Sequence, residues 1–227
     1  MYYLKARLFP TILTVIPFIT GIFLLTEKYS DCIIISGNYF ILLSRLLFIP
    51  AVFFLMVQIN RVVAKEIFQR FYFADELNMP TTIMLLWSDR ELTISMKEKI
   101  RKLIENKFGI KLNDEYSEKQ NPEEAKRLIA TAVSQVRNVL RENKLLLNHN
   151  IEYGFVRNLI GGSLVSFLFS LICAIICCVF LNELKYSITF ASFAIFYLIP
   201  ILLSSLIIKK YGKYYAKVLF EQFLTLK

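Results

Sequence analysis

Residues 159–181 read LIGGSLVSFLFSLICAIICCVFL, 23 positions without a charge. A helix needs roughly 20 apolar residues to cross the hydrocarbon core of a bilayer, so this stretch is long enough to span one. Three more runs match it. Residues 186–208 (YSITFASFAIFYLIPILLSSLII) are again 23 without charge, residues 8–26 are 19 without charge, and residues 33–59 are 27 with one, Arg45. Of 227 residues 56% are hydrophobic and 15% aromatic, with a mean hydropathy of +0.51, against roughly 45–50% apolar in soluble domains. An ordinary soluble globular protein is excluded. No cleaved leader is expected, because the first run carries Pro10 and Pro17 and no small-residue cleavage site follows it.

Charge sets the expected orientation, since short cytoplasmic flanks keep the lysines and arginines. Lys5 and Arg7 precede the first run, and Lys209, Lys210, Lys213 and Lys217 follow the fourth. The opposite loops hold Glu27, Lys28 and Asp31, and Glu183 and Lys185. Both termini therefore face the cytoplasm, and so does the segment 60–158. That segment holds 17 basic and 14 acidic residues, so most of the net +9 sits beside the apolar runs. Such charge suits anionic lipid and is not a nucleic-acid footprint.

The fold class that follows is mainly α: four transmembrane helices in two hairpins, with a small, mostly helical cytoplasmic domain inserted between the second and third. The divisions are a hairpin over 1–59, the cytoplasmic domain 60–158, a second hairpin over 159–208 and a basic cytoplasmic tail, 209–227. Within the domain Val62, Val63, Ile67, Phe68 and Phe71 continue the second helix, and Asn78-Met79-Pro80 stops it. The apolar stretch TTIMLLW (81–87) is core, as strand or buried helix. Ser95 with Glu98, and Asn121 with Glu124 and Pro122, have the spacing of capping boxes. The first opens a helix that Gly109 closes. That helix turns Ile100 and Ile104 inward and Lys97, Lys99, Arg101, Lys102 and Lys107 outward. The second lines up Ile129, Ala132, Val133, Val136 and Leu140, and residues 113–120 form a polar loop between the two helices.

No nucleotide-binding, hydrolase or metalloprotease motif occurs, so no enzyme, cofactor or metal is expected. His149 is the only histidine and reads as a polar surface residue; Cys173, Cys177 and Cys178 read as small apolar residues of the third run. Three features rise above this background. Arg45 lies inside an apolar run, where charge is expensive, and looks for Glu27, Asp31, Glu183 or a water-filled path. Gly162, Ser166, Ser170, Ala174 and Cys178 recur every four residues, a ridge for close helix contact within or between chains that would put Ser166 and Ser170 on a pore if chains meet there. Gly154, Arg157, Asn158 and Gly161 form a joint leading into that ridge, with Arg157 and Asn158 at headgroup level and the glycines free to bend. Arg137 and Arg141 offer a basic face to an anionic ligand.

The segments KARLFPT (5–11), PTTIMLLWSD (80–89) and YGFVRNLIGG (153–162) resemble those of small bacterial membrane proteins with a two-plus-two helix layout. The layout is also similar to the membrane effectors of antiphage defence systems. These resemblances imply a multi-pass protein of the bacterial inner membrane, a homo-oligomer in which the domain receives a signal or a soluble cytoplasmic partner and the helices alter permeability. The alternative is a non-conducting scaffold that anchors a soluble partner.

Overall fold

The computed structural model describes residues 2–28, 37–74 and 76–226, the side chains of 27, 28 and 37–45 excepted. The protein is 83% helix, and no strand occurs among the described residues. A π-helical turn, Leu4–Leu8, leads into α1 (Phe9–Thr14), followed by α2 (Ile16–Lys28). Next comes α3 (Gly37–Val63), which runs through a second π-helical turn, Ala64–Gln69, into α4 (Arg70–Phe73). Then follow α5 (Pro80–Ile83), α6 (Ile94–Phe108), α7 (Glu115–Gln120), α8 (Pro122–Val139), α9 (Lys144–Val179), α10 (Leu184–Leu202) and α11 (Ser204–Leu224). Three helical stretches, Leu46–Phe73, Lys144–Val179 and Leu184–Leu202, are long and apolar enough to cross a membrane. The pair Leu4–Thr14 and Ile16–Thr26, bent by 44°, makes a fourth if it is one span.

The chain divides into two compact units. The first is Met1–Phe68 with Phe155–Ser204, and the second is Gln69–Gly154 with Ser205–Lys227. The expected basic tail is thus part of the second unit. In α11 Ala216, Leu219, Phe220 and Phe223 are fully buried, at the spacing of one helical stripe, while Lys209, Lys210, Lys213 and Lys217 stay exposed. These residues share a core with Ile100 and Ile104 of α6 and with Ile129, Ala132, Val133 and Val136 of α8. Phe108 stacks on Phe223 with centroids 6.0 Å apart.

Local signals place the helix ends of this unit. Asn121 accepts from Glu124 N–H and donates to its carboxylate, closing the expected box. Gly109 ends α6 in the left-handed region, φ 67°, where glycine has no Cβ to clash. The cap of α6 is Thr93, whose side chain accepts from Met96 N–H, two residues before the expected Ser95. The apolar stretch 81–87 is a single helical turn followed by tight turns.

Those turns explain why two cations expected on the surface are inside. The stretch after α5 has no continuous ladder for its carbonyls, Leu86 O taking only a long bond from Asp89 N–H at 3.3 Å, and buried carbonyls demand donors. Lys97 Nζ donates to Leu86 O at 2.5 Å and to Asp89 O. Arg101, one turn on, donates to Leu85 O and Asn113 O, each at 2.6 Å. Arg101 also pairs with Glu118 at 3.3 Å and lies 4.3 Å from the Trp87 ring centre. Glu118 in turn accepts from Trp87 N–H at 2.7 Å. Residues 113–120 are therefore not a polar loop; they include the helix α7, with Glu118 buried. Burial lowers the pKa of Lys97, with Asp89 opposing the shift.

Two predictions follow. Arg101→Met takes a donor from Glu118 and from two carbonyls, Leu85 O and Asn113 O, and should destabilise the second unit by about 3–5 kcal/mol, measured by denaturant titration of the fluorescence of Trp87, the chain's single tryptophan. Glu91 is held below its ordinary 4.5 by the hydrogen bond and charge of Lys213, and Asp114 below 3.8 by Ser117 N–H. Each carboxylate is more acidic folded than unfolded, so its stabilisation is complete above the unfolded value and lost as pH falls through the folded one. The thermal midpoint should drop below pH 4.5, and Asp114→Asn with Lys213→Gln should flatten that drop.

Candidate functional site

The site begins with two prolines. Proline has no N–H, so an α-helical ladder through Pro10 and Pro17 leaves the carbonyls four residues earlier, Ala6 O and Leu13 O, without their donors. At the bend Phe18 N–H turns to Val15 O at 3.0 Å, so it no longer serves Thr14 O. A carbonyl left unpaired among apolar side chains is expensive, and each of these three has a donor from another helix. Asn158 Nδ2 donates to Ala6 O at 2.6 Å, Tyr197 Oη to Leu13 O at 2.5 Å and Ser166 Oγ to Thr14 O.

A second layer completes the seam. Thr11 and Thr14 hydroxyls donate to Arg7 O at 2.9 Å and Pro10 O at 3.0 Å. Their oxygens then accept from Asn60 Nδ2 at 3.2 and 2.8 Å. This contact needs close backbones. A Cβ on Gly162 would stand 2.5 Å from Asn60 Nδ2, and one on Gly161 would stand 2.6 Å from Asn60 O.

Thr11, Thr14, Asn60, Asn158, Ser163, Ser166 and Ser170 are all at most 2% exposed. Asn60 Oδ1, Asn158 Oδ1, Ser163 Oγ and Ser170 Oγ have no hydrogen-bond partner among the described residues. From Asn158 to Ser170 the file runs roughly 18 Å along α9, at about 1.5 Å per residue. It lies in a unit whose helices are apolar enough to cross a membrane.

The expected ridge is present and faces inward. Gly162, Ser166, Ser170 and Ala174 are buried within the chain, so in this arrangement the two serines do not border a space between copies. Cys178 is exposed and Cys177 buried: each four-residue step advances a helix roughly 40° past a full turn, and the face has drifted by then. The joint is also different. Gly154 and Gly161 lie inside an unbroken α9, so Gly161 serves close approach and not a bend. Asn158 is buried in the seam. Arg157 is half-buried. Arg137 is engaged by Glu76 at 3.3 Å and Thr81 at 3.0 Å, whereas Arg141 is exposed. Arg45 lies in α3, with its side chain outside the described residues, as are Asp31 and Cys32. Among the described residues no group of three His, Cys, Asp or Glu is placed to hold a metal.

Sequence reasoning missed Thr11, Thr14, Asn60 and Tyr197. The signal for them was the pair of prolines in one apolar run, which demands donors from elsewhere. Gly161→Ala or Gly162→Ala should therefore lower the thermal midpoint of the purified protein, at an overpacking cost of about 1–3 kcal/mol. A double-mutant cycle tests the proline argument. Pro10→Ala returns an N–H near Ala6 O, so Asn158→Leu should cost less in that background, by about 0.5–3 kcal/mol.

No protein-family model, curated protein or solved structure matches this chain.

Proposed function

We propose that the chain is an integral membrane effector. The bent pair α1–α2, α3, α9 and α10 are four spans of a bacterial inner membrane, and both termini and the second unit are cytoplasmic. The seam is a latent polar path held shut by its own hydrogen bonds. A signal or protein bound by the second unit acts through α9, which begins in that unit at Lys144 and continues through the seam. Copies associate, and the path opens to alter permeability, as in antiphage effectors of similar layout.

The observation that carries this reading is the set of buried polar atoms without partners. Polar groups inside apolar spans are costly and mark conducting paths and relays. Helix glue alone needs only the bonds already made by Asn60, Asn158 and Ser166; it gives no use to Ser163 and Ser170 hydroxyls. The positive flanks agree with the orientation. A non-conducting scaffold is the competing reading, favoured by the fact that every carboxamide donor named above is already engaged.

Inducible expression in bacteria with a voltage-sensitive dye separates the two. An effector should depolarise the cell, and Ser163→Ala with Ser170→Ala should abolish this at unchanged expression, because those changes remove only hydroxyls without partners. A steady potential with the signal-bearing lysate present, together with a co-purified soluble protein, would favour the scaffold.

A further inference from the structure

The second unit contains a cavity of about 170 Å³ between α4, the start of α5 and the start of α11. Its volume equals that of roughly six waters, well below the roughly 300 Å³ at which drug-sized pockets begin. Two cations, Lys209 and Lys213, and two anions, Asp89 and Glu91, line it. Its remaining wall includes the apolar side chains of Phe73, Pro80 and Met84.

The charged groups are held in place. Asp89 Oδ1 accepts from Glu91 N–H at 2.9 Å, and the Asp89 carbonyl accepts from the buried Lys97. Glu91 pairs with Lys213. Lys209 Nζ lies 5.9 Å from the centre of the Tyr72 ring and makes no ion pair among the described residues. Asn78 also lines the cavity, and its Oδ1 accepts from Lys126 Nζ at 2.8 Å.

A simple anion here meets two carboxylates, and a simple cation meets two ammonium groups; both lose much of what they gain. A small ligand carrying one charge of each sign is matched. Lys209 stands seven residues beyond Leu202, where the last apolar helix ends, about 10 Å of helical chain, which brings a headgroup within reach. We infer that this cavity binds a phosphoethanolamine group, with its phosphate toward Lys209 and Asn78 and its primary ammonium toward Asp89 and Glu91. The apolar wall receives the glycerol end of the lipid that carries it. This inference rests on the reading that the apolar helices lie in a membrane, and not on the permeability reading.

The test places the full-length protein in nanodiscs of phosphatidylglycerol with either phosphatidylethanolamine or phosphatidylcholine and counts retained lipid by native mass spectrometry. The ammonium hydrogen bonds should give phosphatidylethanolamine about a tenfold advantage over its trimethylated counterpart. Asp89→Asn should remove most of that advantage, and Lys209→Gln, at an exposed position without an ion pair among the described residues, should lower the retention of both lipids alike, each leaving Trp87 fluorescence unchanged. Soluble glycerophosphoethanolamine displacing the lipid at millimolar concentration would show that the free headgroup suffices; failure to displace it would show that the lipid's apolar part is needed. Equal retention of both lipids by the unaltered protein, an advantage that survives Asp89→Asn, or retention untouched by Lys209→Gln overturns the inference.

Discussion

The first unit depends on what proline cannot do. Pro10 and Pro17 withhold two N–H groups in a run of otherwise uncharged, apolar residues, and the bend beside them releases a third carbonyl. In water such groups would be hydrated. Among apolar helices they need side chains from elsewhere, and Asn158, Tyr197 and Ser166 supply them. Two of these come from α9 and one from α10, so one local defect ties three helices together. The glycines at 161 and 162 allow Asn60 to reach the same place.

The second unit solves the same problem with charge. Its irregular stretch after α5 exposes carbonyls to a core, and α6 turns Lys97 and Arg101 into that core to meet them. Glu118 balances the guanidinium and also takes Trp87 N–H. Buried charge of this kind contributes little net stability over an apolar substitute. It does define one arrangement of the turns, because Lys97 Nζ and the two terminal nitrogens of Arg101 each have a named acceptor. The Asp89 carboxylate that faces the small cavity owes its position to this arrangement.

A polar seam serves packing and, on the reading proposed above, passage; the two uses differ in their surplus. Packing needs donors matched to acceptors. The seam has more: two carboxamide oxygens and two hydroxyls remain without partners among the described residues. Exposed leucines, isoleucines and phenylalanines occupy much of the outward faces of α9 and α10, as lipid-facing or copy-facing surfaces require.

Much was legible from residue order alone. Long uncharged runs announce apolar helices because a bilayer span has a known length, and the stripe of α8 with its Asn121 cap is visible because both signals lie within one or two turns. The positions of Gly162, Ser166 and Ser170 on a common face were equally readable, since helical spacing is local. Which neighbour that face meets was not, because it depends on contacts between residues as far apart as Ala6 and Asn158. The same limit hid Lys97, Arg101 and Glu118: a cation on a helix is assigned to solvent unless a distant segment is known to present carbonyls to it. Tertiary structure decided these cases because burying a polar group is tolerable only when its partner arrives, and the partner comes from another part of the chain.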